Sequence, residues 1–117
     1  MKYKPKYRPG FAADVRKHAH LRARIEKKCL SITEDPYHNT EPLEDRGGIQ
    51  LKGVRSKRID RNFRILFAVC EECRRIFSES EDCRACKHCV KTLPDNTIIF
   101  FAVGPHEKIY SRGKPLD

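Results

Sequence analysis

Apolar residues fall into two periods along this chain, and the change between them divides it. From Phe11 they return at helical spacing: Phe11 and Val15 lie one turn apart, and Leu21, Ile25, Cys29 and Ile32 extend the stripe. This pattern predicts two helices, over about 10–18 and 19–34, or one bent helix. Asp35-Pro36 ends the second, because proline disfavours helical geometry in the residue before it. Residues 36–50, with two prolines and Gly47-Gly48, read as loop.

Beyond Leu51-Lys52-Gly53 the period drops to two. Phe63, Ile65, Phe67 and Val69 alternate as in a half-buried strand, and Val54–Asp60 suits a partner strand. A two-residue turn at Arg61-Asn62 would set Ile59 opposite Arg64, Lys57 opposite Leu66 and Arg55 opposite Ala68. Arg55, Lys57 and Arg64 would then share one face. Thr97–Val103 (TIIFFAV) is the most apolar run and reads as a central strand buried on both faces. Tyr3–Arg8 alternates weakly, and its prolines confine it to an edge. Cys29 belongs to the helical stripe and hence to the core; His18 and His20 fall at the surface or its boundary.

The 117 residues suffice for one domain, spanning 1–117. The net charge of +9 indicates a polyanion or an acidic protein as partner. The hairpin concentrates that charge: Lys52, Arg55, Lys57, Arg58, Arg61 and Arg64 stand against Asp60 alone, as on a phosphate-binding face. The first residues lack an apolar leader core and no run reaches membrane-spanning length, so a cytoplasmic protein is expected.

Cytoplasmic thiols stay reduced, which makes clustered cysteines candidate metal ligands. Cys70-Glu-Glu-Cys73 and Cys83-Arg-Ala-Cys86-Lys-His-Cys89 supply paired C-x2-C knuckles for tetrahedral zinc. The favoured set is Cys70, Cys73, Cys86 and Cys89. Cys83 in place of Cys89 is its main rival, and His88 is a further candidate. Four thiolates leave no open position, so the zinc would be structural, ordering an insert over residues 70–95. A redox-active dithiol would instead be expected at a helix start within a βαβ unit, which the pattern lacks.

With the cysteine segment set aside, the order is strand, helix, helix, loop, Leu51-Lys52-Gly53 and three strands. That order, with Ser56-Lys57-Arg58-Ile59-Asp60, Phe63-Arg64-Ile65-Leu66-Phe67 and a closing His106…Tyr110, resembles the RelE/YoeB/YafQ branch of the RelE/ParE toxin superfamily. The resemblance implies an α+β, microbial-ribonuclease-like fold: an N-terminal helical hairpin on an antiparallel sheet of 3–4 strands. The zinc-binding insert expected between the last two strands is foreign to the bacterial members of that family. The resemblance also implies an endoribonuclease that cleaves mRNA on the ribosome and is neutralised by an antitoxin protein.

Residue by residue, Arg64 matches the arginine that contacts the scissile phosphate. Lys57 and Arg55 match paired lysines of RelE, and Arg58 an arginine of YoeB. His106 and Tyr110 resemble the YafQ ending, with a catalytic histidine and a base-stacking aromatic; RelE carries an arginine there. Glu41 resembles the catalytic glutamate of YoeB, although the loop after it differs in length. The implied mechanism is attack by the RNA 2′-hydroxyl: His106 is acid or base, Arg64 stabilises the phosphorane, Lys57 is second cation or complementary proton carrier, and Tyr110 stacks on a base. Lys52, Arg55, Arg58 and Arg61 would hold RNA. Two rival readings are a non-catalytic protein of the same fold, such as the ParE-like gyrase inhibitors, and a zinc-ribbon module that binds nucleic acid through its insert.

Overall fold

Ten short elements alternate along the chain in the computed structural model, which describes residues 2–45, 51–77 and 93–109. They are β1 (Lys4–Tyr7), α1 (Pro9–Lys17), a 3₁₀ turn (Ala19–Leu21), α2 (Arg22–Glu34), β2 (Glu41–Pro42), β3 (Arg55–Arg58), β4 (Phe63–Val69), α3 (Cys70–Ile76), β5 (Thr97–Pro105) and α4 (His106–Ile109). Pro9 starts α1, where its missing N–H costs nothing. Asp35 caps α2 in extended geometry, as the following proline requires.

The strands form one five-stranded sheet in the order β1-β5-β4-β3-β2. β1 runs parallel to β5 and the other pairs are antiparallel. The sheet is therefore mixed and wider than the 3–4 antiparallel strands expected. β1 does lie at an edge, where Pro5 is tolerated. β5 is buried on both faces: Ile98, Phe100 and Val103 join the core under the helices, whereas Ile99, Phe101 and Ala102 join a second core on the opposite face.

The helical hairpin covers the first face through Phe11, Leu21, Ile25, Cys29 and Ile32. The second face is closed by Leu43, Leu51 and Val54, by Cys70, Cys73 and Phe77 around α3, and by Ile109 of α4. A β-bulge shifts the β4–β5 register between Leu66↔Ala102 and Phe67↔Phe100. Past it, β1 no longer flanks β5, and the buried Asp14 of α1 accepts the Val103 N–H at 3.0 Å.

The two ends of the segment between β4 and β5 meet. Glu71 N–H donates to Asp95 O at 3.0 Å, and Arg74 binds the Asp95 carboxylate and the carbonyl of Leu93. Among the described residues no helix is long and apolar enough to cross a membrane.

Candidate nucleic-acid interface and active site

The geometry of the basic hairpin is set by Asp60. Its Oδ1 accepts the backbone N–H groups of Asn62 (2.8 Å) and Phe63 (3.0 Å), and Ile59 N–H closes on Phe63 O at 3.0 Å. Those N–H donors hold the Asp60 carboxyl below the usual carboxylate range. The connection is thus a three-residue loop, Asp60–Asn62, and not the two-residue turn expected at Arg61-Asn62. The register that results pairs Arg55↔Phe67, Ser56↔Leu66, Lys57↔Ile65 and Arg58↔Arg64.

This one-residue shift exchanges the faces of β3. Lys57 and Arg55 lie on the helix-covered side with Ile65 and Phe67, apart from Arg64, which corrects the expected Arg55/Lys57/Arg64 set. Lys57 is buried, its Nζ donating to His38 O at 3.3 Å. Burial pushes its ammonium pKa down and Lys28 pushes it further, while Asp35 opposes them. Arg55 is held fast by Glu72: Nε donates to both carboxylate oxygens at 2.9 Å and Nη2 to Oε2 at 2.7 Å, with 13% and 7% of the two side chains exposed. Its Nη1 donates to Thr40 Oγ1, and the guanidinium lies 4.8 Å from the Tyr37 ring. Beside this pair the hydroxyls of Tyr37 and Tyr3 donate to Glu71. The bond to Glu71 raises the Tyr3 pKa to about 12; burial, then Glu71, raises that of Tyr37.

The opposite face carries a different set. Arg58 and Arg64 are cross-strand neighbours, and Gly104 completes the row with no side chain. Arg64 Nη1 donates to the carbonyls of Asp60 (3.0 Å), Phe63 (3.1 Å) and Arg61 (3.4 Å), which anchors the guanidinium along the loop. Among the described residues Arg58, Arg61 and Arg64 form no ion pair. Arg58 and Arg61 are exposed and Arg64 is half-buried.

His106 follows directly. Phe63 pairs with Pro105, and His106 N–H donates to Asn62 O, so His106 opens α4 where β5 ends, beside the loop at the tip of the Arg64 face. α4 folds onto that face, since Ile109 is fully buried in its core. His106 itself is exposed.

Glu41 reaches the same side. It pairs with Ser56, and Leu43, two residues on, is buried in the core of that face. On this side the register sets Arg58 beside Arg64 and places Glu41 two positions along, opposite Ser56, while His106 follows at the end of β5: two anion-binding guanidinium groups, with a carboxylate and an imidazole on the strands to either side. Sequence spacing had paired Glu41 only with a family motif; its pairing with Ser56 could not be read from the loop preceding β3.

Lys52 lies away from this row, its ammonium 6.0 Å from the Phe77 ring centre and its N–H held by Asp45. Cys70 and Cys73 occupy α3, one turn apart and both buried, with Cys73 Sγ 3.5 Å from Gly53 O. They do stand at a helix start after a strand, but β4 and β5 flank that helix in antiparallel fashion, so the βαβ setting of a redox pair is absent. Tyr110, Cys83, Cys86, His88 and Cys89 lie outside the described residues. Among the described residues no three histidine, cysteine or carboxylate side chains gather as metal ligands.

Several solved structures share this fold. A chain of the RelBE2 toxin–antitoxin complex from Mycobacterium tuberculosis aligns with a TM-score of 0.59 at 16% identity, over 91% of this chain and 100% of that one. YafQ from E. coli aligns with a TM-score of 0.58 at 11% identity, over 92% and 98%. A copper-bound mutant toxin from Helicobacter pylori aligns with a TM-score of 0.57 at 13% identity, over 92% and 99%. No protein-family model matches the sequence, and neither does any curated protein. The chain has the α+β fold of the RelE and YafQ toxins.

Proposed function

We propose that this protein is the toxin of a toxin–antitoxin pair and an endoribonuclease that cleaves mRNA, engaged on the ribosome in the cytoplasm. The observation that carries the reading is the cross-strand pair Arg58 and Arg64, outside any ion pair among the described residues, with Glu41 on the same face and His106 following at the end of the neighbouring strand. The fold shared with RelBE2 and YafQ supports it; the DinJ–YafQ structure, a toxin–antitoxin complex, aligns over 94% of this chain with a TM-score of 0.57 and supports an antitoxin as partner.

Cleavage runs through the RNA itself. The 2′-hydroxyl gives up its proton to a base and attacks the adjacent phosphorus; the P–O5′ bond breaks, and the departing 5′-oxygen takes a proton from an acid, leaving a 2′,3′-cyclic phosphate. Arg64 and Arg58 stabilise the charge that builds on the phosphorane oxygens. His106 and Glu41 are the proton carriers, the imidazole serving as acid and the carboxylate as base. Glu41 takes the role that Lys57 was expected to share, because Lys57 faces the helices. Tyr110 is retained as the base-stacking residue, and Lys52 and Arg61 as outlying RNA contacts.

The deciding experiment induces the wild-type and Arg64→Ala proteins side by side and maps the RNA ends. New ends within coding sequence, present only with the wild type, are expected. Growth arrest without new ends, accompanied by DNA-damage signalling, would favour a non-catalytic protein of this fold.

The cysteine segment is proposed to hold structural zinc through Cys70, Cys73, Cys86 and Cys89. Supporting it are the two buried thiols one helical turn apart on α3 and the second C-x2-C pair in the sequence. When bound, zinc would hold these thiolates in a closed tetrahedral set. About one zinc per chain is expected by native mass spectrometry, with chelation lowering the melting temperature. A protein purified without zinc that melts at the same temperature with and without chelator would refute it.

A further inference from the structure

Phe63 starts β4 and, by alternation, turns away from Arg64 toward the helix-covered side, where it packs on the core. Two histidines meet it there. The His18 ring centre lies 5.0 Å from that of Phe63 at 74°, and the His20 centre 6.3 Å at 83°; the two imidazoles are 6.3 Å apart at 71°. The break between α1 and α2, with His18 at φ −112° and ψ 50°, brings both rings to one strand end. His20 is exposed, and His18 and Phe63 are half-buried.

Two guanidinium groups belong to the loop before Phe63 or reach it. Arg61 is exposed on the Asp60–Asn62 loop, and Arg24 lies 3.7 Å from Asp60, whose other oxygen holds the Phe63 N–H. Core packing accounts for Phe63. It does not account for His20, whose ring stays in water and gains little by burial.

We propose that the His18/His20/Phe63 cluster is a stacking platform for a nucleobase in the single-stranded RNA flanking the cleaved bond. The proposal rests on the nuclease reading and adds a subsite to it. Phe63 is next to Arg64 in β4 and pairs with Pro105, which precedes His106, so the platform and the candidate active site lie back to back at the same strand ends. RNA crossing the Arg58/Arg64 row and rounding the loop meets the rings within a few nucleotides. Exposed aromatic faces beside cations are how proteins hold single strands without reading their sequence.

The test uses the full chain with His106→Ala, so that RNA is bound but not cut, and fluorescent single-stranded RNAs of about 4 and about 12 nucleotides. His20→Ala should weaken the longer RNA about 5–150-fold, the range that loss of one stacked base converts to, and leave the shorter one unchanged. His20→Lys, which keeps a cation but loses the ring, should behave like His20→Ala, whereas His20→Tyr should restore binding. With His106 intact, His20→Ala should raise KM for the longer RNA and spare kcat. Unchanged binding, equal losses on both lengths, or full binding by His20→Lys would each overturn the platform. A chain with native His106 that binds RNA in this length-dependent way but never cuts it, free or on the ribosome, would instead sink the nuclease reading and leave the platform standing.

Discussion

The two faces of strand β3 put the same kind of residue to opposite uses. Arg55 and Lys57 point toward the helices, where one is locked to Glu72 and the other sits buried against the carbonyl of His38. Arg58, between them and the loop, points the other way and stands beside Arg64, and neither joins an ion pair among the described residues. A count of cations along a strand therefore says little about its charge as a surface. Register sorts them into those that hold the protein together and those left to hold a ligand.

The contrast makes graded predictions. The largest effect belongs to the outward face: His106→Ala should slow single-turnover RNA cleavage about 10²–10⁴-fold with an unchanged melting temperature. A variant that cuts at the parental rate would remove the imidazole from the mechanism. Arg64→Ala should cost about 10²–10³-fold in the same assay, with Arg58→Ala smaller but in the same direction. On the inward face the loss should move from rate to stability. Arg55→Ala strands a buried carboxylate and should destabilise by about 3–5 kcal/mol in urea titration, while the folded fraction retains its activity. Joint replacement, Arg55→Met with Glu72→Leu, should recover most of that loss; no recovery would mean that the pair does not act as a unit.

The smallest effect is expected at Lys57. Because its folded pKa is lowered, the unfolded chain holds the proton more tightly, and stability rises with pH between the folded value and the ordinary lysine value of 10.5. Lys57→Met should thus stabilise by about 1 kcal/mol or less near neutrality, partly offset by the lost bond to His38 O. The advantage should shrink as pH climbs through the lowered value toward 10.5. An advantage that grows with pH would contradict the cause assigned to the shift.

Much of the fold is legible in the residue pattern. The stripe Leu21, Ile25, Cys29 and Ile32 is buried as its spacing requires, and TIIFFAV is a strand covered on both faces. The hairpin register is less legible because one side chain decides it. Whether Asp60 extends β3 or folds back to accept two N–H groups changes the loop from two residues to three, and sequence alternation fits both. The fate of Arg55 is hidden for another reason: Glu72 is its partner only once α3 turns back over the end of β4. Glu41 shares the face of Arg58 through pairing with Ser56, a contact across a loop whose length alone gives no register. His20 looked like an ordinary surface residue until the helix break set it against Phe63.

The bond from Glu71 to Asp95, with Arg74 laid across both Leu93 and Asp95, makes the end of β4 and the start of β5 a sealed gate in the covalent chain. Residues added to the connection beyond Phe77, clear of the Glu72, Cys73 and Phe77 side chains that the core uses, would lengthen it at an entropic cost that grows only with the logarithm of its length. The Arg58/Arg64 end of the sheet, at the opposite tip of β4, would not register the insertion. A protein so built can take on a new surface by cassette and keep that row of cations as it was.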